Sequence, residues 1–140
     1  QADGRASFQE IGDRIGLSMS ACHKRTKALE QSGVIERYVA VVSERRAGFS
    51  THAYVEVTLK DQTQKTLEAF ERAVARHEQV MECVLISGES DYLLRILCDG
   101  VEGYEELHKE FLTTLPGVER LHSKFALRTV CRRHAIPVRA

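Results

Sequence analysis

The sequence lacks the features of a membrane or exported protein. It has no apolar run near the ~20 residues that a membrane-spanning helix needs, and its first residues, Gln1 to Ser7, are polar where a signal peptide would have a basic start and an apolar stretch. With 43% hydrophobic and 29% charged residues, the composition is that of an ordinary soluble globular protein. We therefore expect a cytoplasmic protein.

The chain lacks closely spaced cysteines and an excess of charge of either sign. Cys22, Cys83, Cys98 and Cys131 are too widely spaced for a small disulfide scaffold, so we expect reduced thiols. Basic and acidic residues number 20 each. Up to Ser50 there are 8 basic and 6 acidic residues, and after it 12 and 14, which gives +2 and −2. This asymmetry is weak, but it has the direction that an N-terminal DNA-binding domain requires.

Two short helices are predicted at the N-terminus. Helical spacing of apolar residues, with Ser7 as N-cap, predicts a first helix from Phe8 to Ile15. A second helix is predicted from Met19 to Gln31, with Ser18 as its N-cap and Gly33 as a left-handed C-terminal cap. We expect a buried stripe along it, formed by Cys22, Thr26 and Leu29.

The remaining pattern indicates a second, α+β domain. A β-rich run from Tyr38 to Val42 predicts a strand that leads out of the first domain, and residues 43–50 form a linker. Alternating and helical periods then predict the order β-α-β-β-α-β, the ferredoxin-like arrangement. Its segments are His52 to Leu59, Thr63 to His77, Val80 to Ser87, Tyr92 to Cys98, a helix marked by Val101 to Leu115 before Pro116-Gly117, and Val118 to Val130.

The short connection Gly16-Leu17-Ser18 between the first two helices is typical of a helix-turn-helix, whose second helix enters the major groove. If the buried stripe faces inward, the opposite face presents hydrogen-bonding groups and cations that suit base edges and phosphates. The candidate DNA contacts are Ser18, Ser20, His23, Lys24, Arg25 and Lys27. From pattern alone, an ordinary helical hairpin with a solvated basic face is an equally good interpretation.

Motifs in both halves resemble one known family. In the first half these motifs are Asp3-Gly4-Arg5, Ile11 to Ser18, Arg25, Leu29-Glu30, Gly33-Val34-Ile35 and Tyr38. In the second half they are Ser87-Gly88-Glu89-Ser90-Asp91-Tyr92-Leu93-Leu94 and Leu115-Pro116-Gly117-Val118. Together they resemble the motifs of the Lrp/AsnC (feast/famine) transcriptional regulators. The resemblance covers essentially the whole chain. It implies an α+β protein with an N-terminal winged helix-turn-helix in 1–42, the linker 43–50 and a ferredoxin-like sensor domain in 51–140. Such regulators usually begin with a further helix, so the first helix of the DNA-binding domain is expected to be missing here.

The resemblance also implies a mechanism. Dimers form through the sensor sheets and associate into larger assemblies such as octamers, and an amino acid bound between dimers changes assembly and DNA binding. By position, the effector-binding residues are Ser87, Gly88, Glu89, Ser90 and Asp91. Gly88 would let backbone amides approach a ligand carboxylate, and Glu89 and Asp91 could hold an α-ammonium. Without the resemblance, a plain hairpin turn is the favoured interpretation of this segment by about two to one.

Other kinds of site have little support in the sequence. Cys131 and His134 could supply two metal ligands, but nothing nearby completes a set of four, so we expect no metal and no cofactor other than the effector. Cys83 and Cys98 are expected to pack as small apolar residues. No nucleophile motif or phosphate loop occurs, so we expect no enzyme. The alternative function is a ligand-binding oligomeric module without DNA-binding activity.

Overall fold

The computed structural model describes residue 1 and residues 3–138. The chain divides into two compact units. One unit is Gln1–Val41 together with the segment from Cys131 onward, and the other is Val42–Val130. The tail that the sequence assigned to the second domain therefore groups with the first unit.

The first unit is built on the two predicted helices, α1 (Phe8–Ile15) and α2 (Met19–Gln31). Both predictions are confirmed to the residue, because each helix begins at a serine that satisfies a free backbone amide. Ser7 forms a capping box, in which its side chain accepts from the Glu10 N–H at 3.2 Å and the Glu10 carboxylate accepts from the Ser7 N–H at 2.7 Å. The Ser18 hydroxyl accepts from the Ala21 N–H at 3.3 Å.

Two expectations for this unit are wrong. Leu29 is 43% exposed rather than part of a buried stripe. The reason is the difference in helix length. α1 has 8 residues and is about 12 Å long, whereas α2 has 13 residues and is about 20 Å long, so α1 cannot cover all of α2. The strand predicted from Tyr38 to Val42 is not formed. Residues that favour β structure make a strand only where a neighbouring strand accepts and donates hydrogen bonds, and this run pairs with none in the described residues.

The second unit is one antiparallel sheet in the order β2-β3-β1-β4 with helices packed on it. Its elements are β1 (Thr51–Leu59), α3 (Gln64–Val74), β2 (Val80–Leu85), β3 (Tyr92–Cys98), α4 (Gly100–Glu110), a 3₁₀ turn (Leu112–Thr114) and β4 (Val118–Phe125). The predicted order β-α-β-β-α-β is confirmed.

One face of the sheet forms the core with the helices. Along β1 the buried residues alternate, and Ala53, Val55, Val57 and Leu59 are at most 4% exposed. Residues of β3, including Tyr92, Leu94 and Ile96, extend this face, and Phe70 of α3 and Leu107 of α4 close over it. As predicted, Cys98 lies in this core and Cys83 packs against it.

Several element ends differ from the predictions. The last strand stops at Phe125 instead of Val130, because its paired ladder with β1 ends at Ala53 opposite Phe125 and is followed by only one more bond, from the Ala126 N–H to the His52 carbonyl at 3.0 Å. The second strand stops at Leu85, two residues early. The long second sensor helix is α4 followed by the 3₁₀ turn, and Val101 at its start is 68% exposed.

In the part of the chain that the structure describes, none of the helices has the length and apolar character needed to span a bilayer.

Candidate DNA-binding face and effector turn

The exposed face of α2 carries the predicted DNA-contacting residues. Cys22 is 2% exposed and marks the side that packs in the unit. At ~100° per residue, Lys24 lies about 200° around the helix from Cys22, on the opposite face. All six candidates are exposed: Ser18, Ser20, His23, Lys24, Arg25 and Lys27. The helix therefore presents three cations together with hydroxyl and imidazole groups to solvent.

Two of the six also have a structural role. The Ser18 hydroxyl caps α2, so its oxygen is already an acceptor for a backbone amide. The ring of His23 lies edge-on to the ring of Phe8, with centroids 5.0 Å apart. This contact links α1 to α2 and fixes the direction in which the imidazole leaves the helix.

Sequence reasoning missed the residue that sets how closely α1 and α2 approach. Gly12 is buried in α1, and a Cβ placed on it would overlap the carbonyl oxygen of Leu17 and lie 3.5 Å from the Cys22 sulfur. Its own carbonyl oxygen accepts from the Leu17 N–H at 3.0 Å. A small residue in the middle of a short amphipathic helix, four residues before the turn, is the signal that could have identified it.

The predicted effector segment is the turn between β2 and β3. The Ile86 N–H donates to the Asp91 carbonyl at 2.8 Å, and the Asp91 N–H donates to the Val57 carbonyl at 2.9 Å, which fastens the base of the turn to β1. Gly88 has φ 127°, a left-handed conformation that favours glycine, and a Cβ there would meet no atom within 4 Å. The tip is thus open, with Ser87, Gly88 and Glu89 exposed.

Asp91 differs from the rest of the turn. It is only 8% exposed, and its carboxylate accepts from the Leu59 N–H at 2.7 Å and from the Gln62 amide at 2.6 Å. Both carboxylate oxygens are therefore engaged inside the fold. Asp91 thus connects the turn to the end of β1, whereas the carboxylate of Glu89, at the tip of the turn, is exposed.

A cavity of about 270 Å³ lies at the opposite end of the β2–β3 hairpin. It is acidic and aromatic, lined by residues that include Phe49, His77, Asp99, Glu106, Glu110 and Phe111. The rings of His77 and Phe111 stack with centroids 4.0 Å apart. This cavity is a second place in the unit where a small molecule could fit.

The sheet face opposite the helices carries polar and charged residues with some apolar ones. On β1 these are His52, Tyr54, Glu56 and Thr58, all partly buried. Glu56 pairs with Lys124 at 2.5 Å and with His122 at 3.3 Å, and the hydrogen bond from Lys124 is the main cause that lowers the pKa of Glu56. His52 and Arg95 lie 3.0 and 3.8 Å from the Glu44 carboxylate. Leu93, partly buried, lies opposite Glu56 in the β1–β3 register.

Two family models match the chain, one on each part. The AsnC-type helix-turn-helix domain matches residues 1–30, and the Lrp/AsnC ligand binding domain matches residues 52–136. The chain therefore belongs to the Lrp/AsnC family of transcriptional regulators, as the sequence motifs indicated.

Relatives and solved structures agree with this assignment. The chain is 44% identical over 116 residues to an uncharacterized HTH-type transcriptional regulator of Sinorhizobium fredii, covering 83% of this chain and 91% of the relative. It is 38% identical over 118 residues to the leucine-responsive regulatory protein of Escherichia coli strain K12, covering 84% and 72%. A transcriptional regulator of Neisseria meningitidis, solved as a complex with L-methionine, has 27% identity and a TM-score of 0.90, covering 96% of this chain and 86% of that one.

Proposed function

We propose that this Lrp/AsnC regulator binds double-stranded DNA through the exposed face of α2 and responds to an amino acid bound at the turn formed by residues 87–91. The family is one of transcriptional regulators, and binding without catalysis is the activity that we assign to the chain. The observation that carries the proposal is the presence, in one chain, of a capped helix-turn-helix with a cationic face and a sensor unit with an open glycine turn.

The DNA-binding part is supported by the geometry of α2. Ser20, Lys24 and Lys27 follow each other at helical spacing on the side away from Cys22. A helix seated in the major groove presents such a face to base edges, with its flanks towards the phosphates. Lysine at the middle of this face is suited to phosphate contact, because its ammonium is a compact charge on a long flexible stem.

Lys24→Ala tests this part. Binding of the full chain to DNA from its own upstream region is measured at several salt concentrations. The variant should bind all sequences more weakly, and the slope of log K against log salt should fall by about 0.9 for each phosphate that the protein no longer neutralises. Lys65→Ala, which removes an exposed lysine of α3 in the other unit, is the matched control. Equal slopes for wild type and Lys24→Ala would exclude the phosphate contact.

The amino-acid part is supported by the chemistry of the turn. The exposed turn offers the backbone amides around Gly88 and the Glu89 carboxylate, groups that complement the α-carboxylate and α-ammonium of an amino acid. Leu85, next to the turn, is 63% exposed, and an apolar side chain of a ligand could cover it. The N. meningitidis regulator with its bound L-methionine makes an apolar amino acid the first effector to try.

Calorimetric titration of the full chain with each of the twenty amino acids tests the effector. Saturable binding by an apolar amino acid, abolished by Gly88→Trp, is the expected result. Glu106→Ala, in the acidic cavity at the other end of the hairpin, is the control and should leave the affinity unchanged. Loss of binding in Glu106→Ala with retention in Gly88→Trp would move the effector to that cavity, and silence with all twenty would refute an amino-acid effector.

For assembly, we propose that two copies dimerise through the sheet face opposite the helices. Support comes from Leu93, a partly buried apolar residue in that face, and from the pairing of Glu56 with His122 and Lys124, which leaves fewer unpaired charges to be desolvated in an interface. Leu93→Glu should convert a dimer, or a larger assembly of dimers, to smaller species in sedimentation velocity. Val101→Glu, at a position that is 68% exposed on α4, is the control. An unchanged sedimentation coefficient for Leu93→Glu would rule out this face.

A further inference from the structure

The C-terminal tail is attached to the helix-turn-helix unit by a pair of hydrogen bonds. The side-chain amide of Gln1 donates to the Ile136 carbonyl at 3.0 Å, and its oxygen accepts from the Ile136 N–H at 2.7 Å. Residues 131–138 form neither helix nor strand, and all of them are exposed. The tail therefore leaves the sensor sheet after β4 and ends in the unit that contains α1 and α2.

This tail supplies most of the net positive charge of that unit. Gln1–Val41 has six basic and five acidic residues, whereas the tail adds three arginines, Arg132, Arg133 and Arg139, and no acidic residue. Val42–Val130 has eleven basic and fifteen acidic residues. At neutral pH the unit that contains α2 is thus +4 with the tail and +1 without it, and the other unit is −4. The weak asymmetry seen when the sequence was split at Ser50 becomes a difference of eight charges once the tail is assigned by the fold.

We propose that Arg132 and Arg133 form an additional DNA-contacting arm, which binds phosphates beside the site occupied by α2. This inference rests on the proposed DNA binding by α2. Arg133 is exposed and has no ion pair in the described part of the chain that would compete with a phosphate. A phosphate contact requires a positive charge near the duplex, and the charge does not have to lie on a helix or strand. The two N–H groups of an arginine guanidinium can bind one phosphate together. The arm therefore adds affinity for any sequence and no base readout.

The salt dependence of DNA binding by the full chain tests the arm. In Arg132→Gln/Arg133→Gln the slope of log K against log salt should fall by about 1.8 for each DNA-bound tail, at about 0.9 for each phosphate. The loss of affinity should be the same on specific and random duplexes. Arg132→Lys/Arg133→Lys keeps the charge and should keep the slope. Arg45→Gln/Arg46→Gln removes another exposed arginine pair, from the acidic unit, and should also leave the slope unchanged.

The outcomes separate this inference from the function on which it rests. If wild type binds DNA with a slope that Lys24→Ala lowers but Arg132→Gln/Arg133→Gln does not, the arm is refuted and DNA binding by α2 stands. An equal fall in slope for Arg45→Gln/Arg46→Gln would also refute it, because it would show an effect of net charge alone. A wild-type chain that binds no duplex at any salt concentration would overturn both proposals. Circular dichroism of each variant checks that the fold is intact.

Discussion

Asp91→Ala should destabilise the sensor unit, because the carboxylate of this residue is an internal hydrogen-bond acceptor. It connects the turn that ends at Asp91 to the last residue of β1, through the Leu59 N–H, and to the segment before α3, through the Gln62 amide. The bond to Leu59 is buried, and Leu59 itself is 4% exposed. Alanine would leave that N–H with neither a protein acceptor nor easy access to water.

The magnitude follows from the two bonds. A buried backbone N–H left without an acceptor costs about 1–3 kcal/mol, and the partly buried bond to Gln62 adds about 1 kcal/mol, so the free energy of unfolding should fall by about 2–4 kcal/mol. Asp91→Asn keeps an acceptor oxygen for the Leu59 N–H but places an NH2 group where the other oxygen accepts from Gln62. It should therefore lose that bond and the charge assistance, about 1–2 kcal/mol in all. Glu89→Ala, at the exposed tip of the same turn, should stay within about 0.5 kcal/mol of wild type.

Urea unfolding followed by far-ultraviolet circular dichroism, at one fixed protein concentration, measures these differences. The expected order of stability is wild type equal to Glu89→Ala, then Asp91→Asn, then Asp91→Ala. The same variants are titrated with the effector amino acid. If Asp91→Ala unfolds at the wild-type urea concentration but no longer binds the amino acid, the structural role is wrong, and Asp91 is the ammonium ligand that the sequence suggested.

Three further perturbations test other parts of the structure. Gly12→Ala forces a methyl group against the Leu17 carbonyl oxygen and should weaken DNA binding at least tenfold without changing effector binding; unaltered DNA affinity would contradict the close approach of α1 and α2. Burial raises the pKa of the Cys83 thiol to about 11, so at pH 8 iodoacetamide should modify the exposed Cys131 and leave Cys83 in its protonated, unreactive form, as peptide mass spectrometry would show. Glu10→Ala removes the capping box, whose hydrogen bonds with Ser7 keep the pKa of Glu10 below its ordinary value. The substitution should lower the stability of α1 at pH 7, where wild-type Glu10 is ionised, but not at a pH below the lowered pKa, because the stabilising charge is lost as the pH falls through that value. Thermal melts that differ equally from wild type at both pH values would contradict a role for its charge.

Features that depend on neighbours along the chain could be predicted from the sequence alone. The bounds of α1 and α2 follow from Ser7 and Ser18, whose side chains bond amides three residues away, and from the glycine that follows α1. The order of strands and helices in the sensor unit follows from hydrophobic periods of two and 3.6 residues. The sequence motifs also sufficed to identify the family. The candidate contacts on α2 and in the turn could be proposed for the same reason, since each group lies within one continuous segment.

Features that join residues far apart in the sequence emerged only with the three-dimensional fold. The partners of the Asp91 carboxylate are 32 and 29 residues away, so the sequence could not show that this predicted effector-binding residue already accepts hydrogen bonds from Leu59 and Gln62. β4 ends where its pairing with β1 ends, at Phe125 opposite Ala53, because a strand needs a hydrogen-bonded neighbour. The grouping of the basic tail with the helix-turn-helix unit brings together residues as far as 135 positions apart, such as Gln1 and Ile136. Local patterns specify which segments become helices and strands, and only the packing of those segments decides which polar groups are used inside the molecule and which remain free to bind something else.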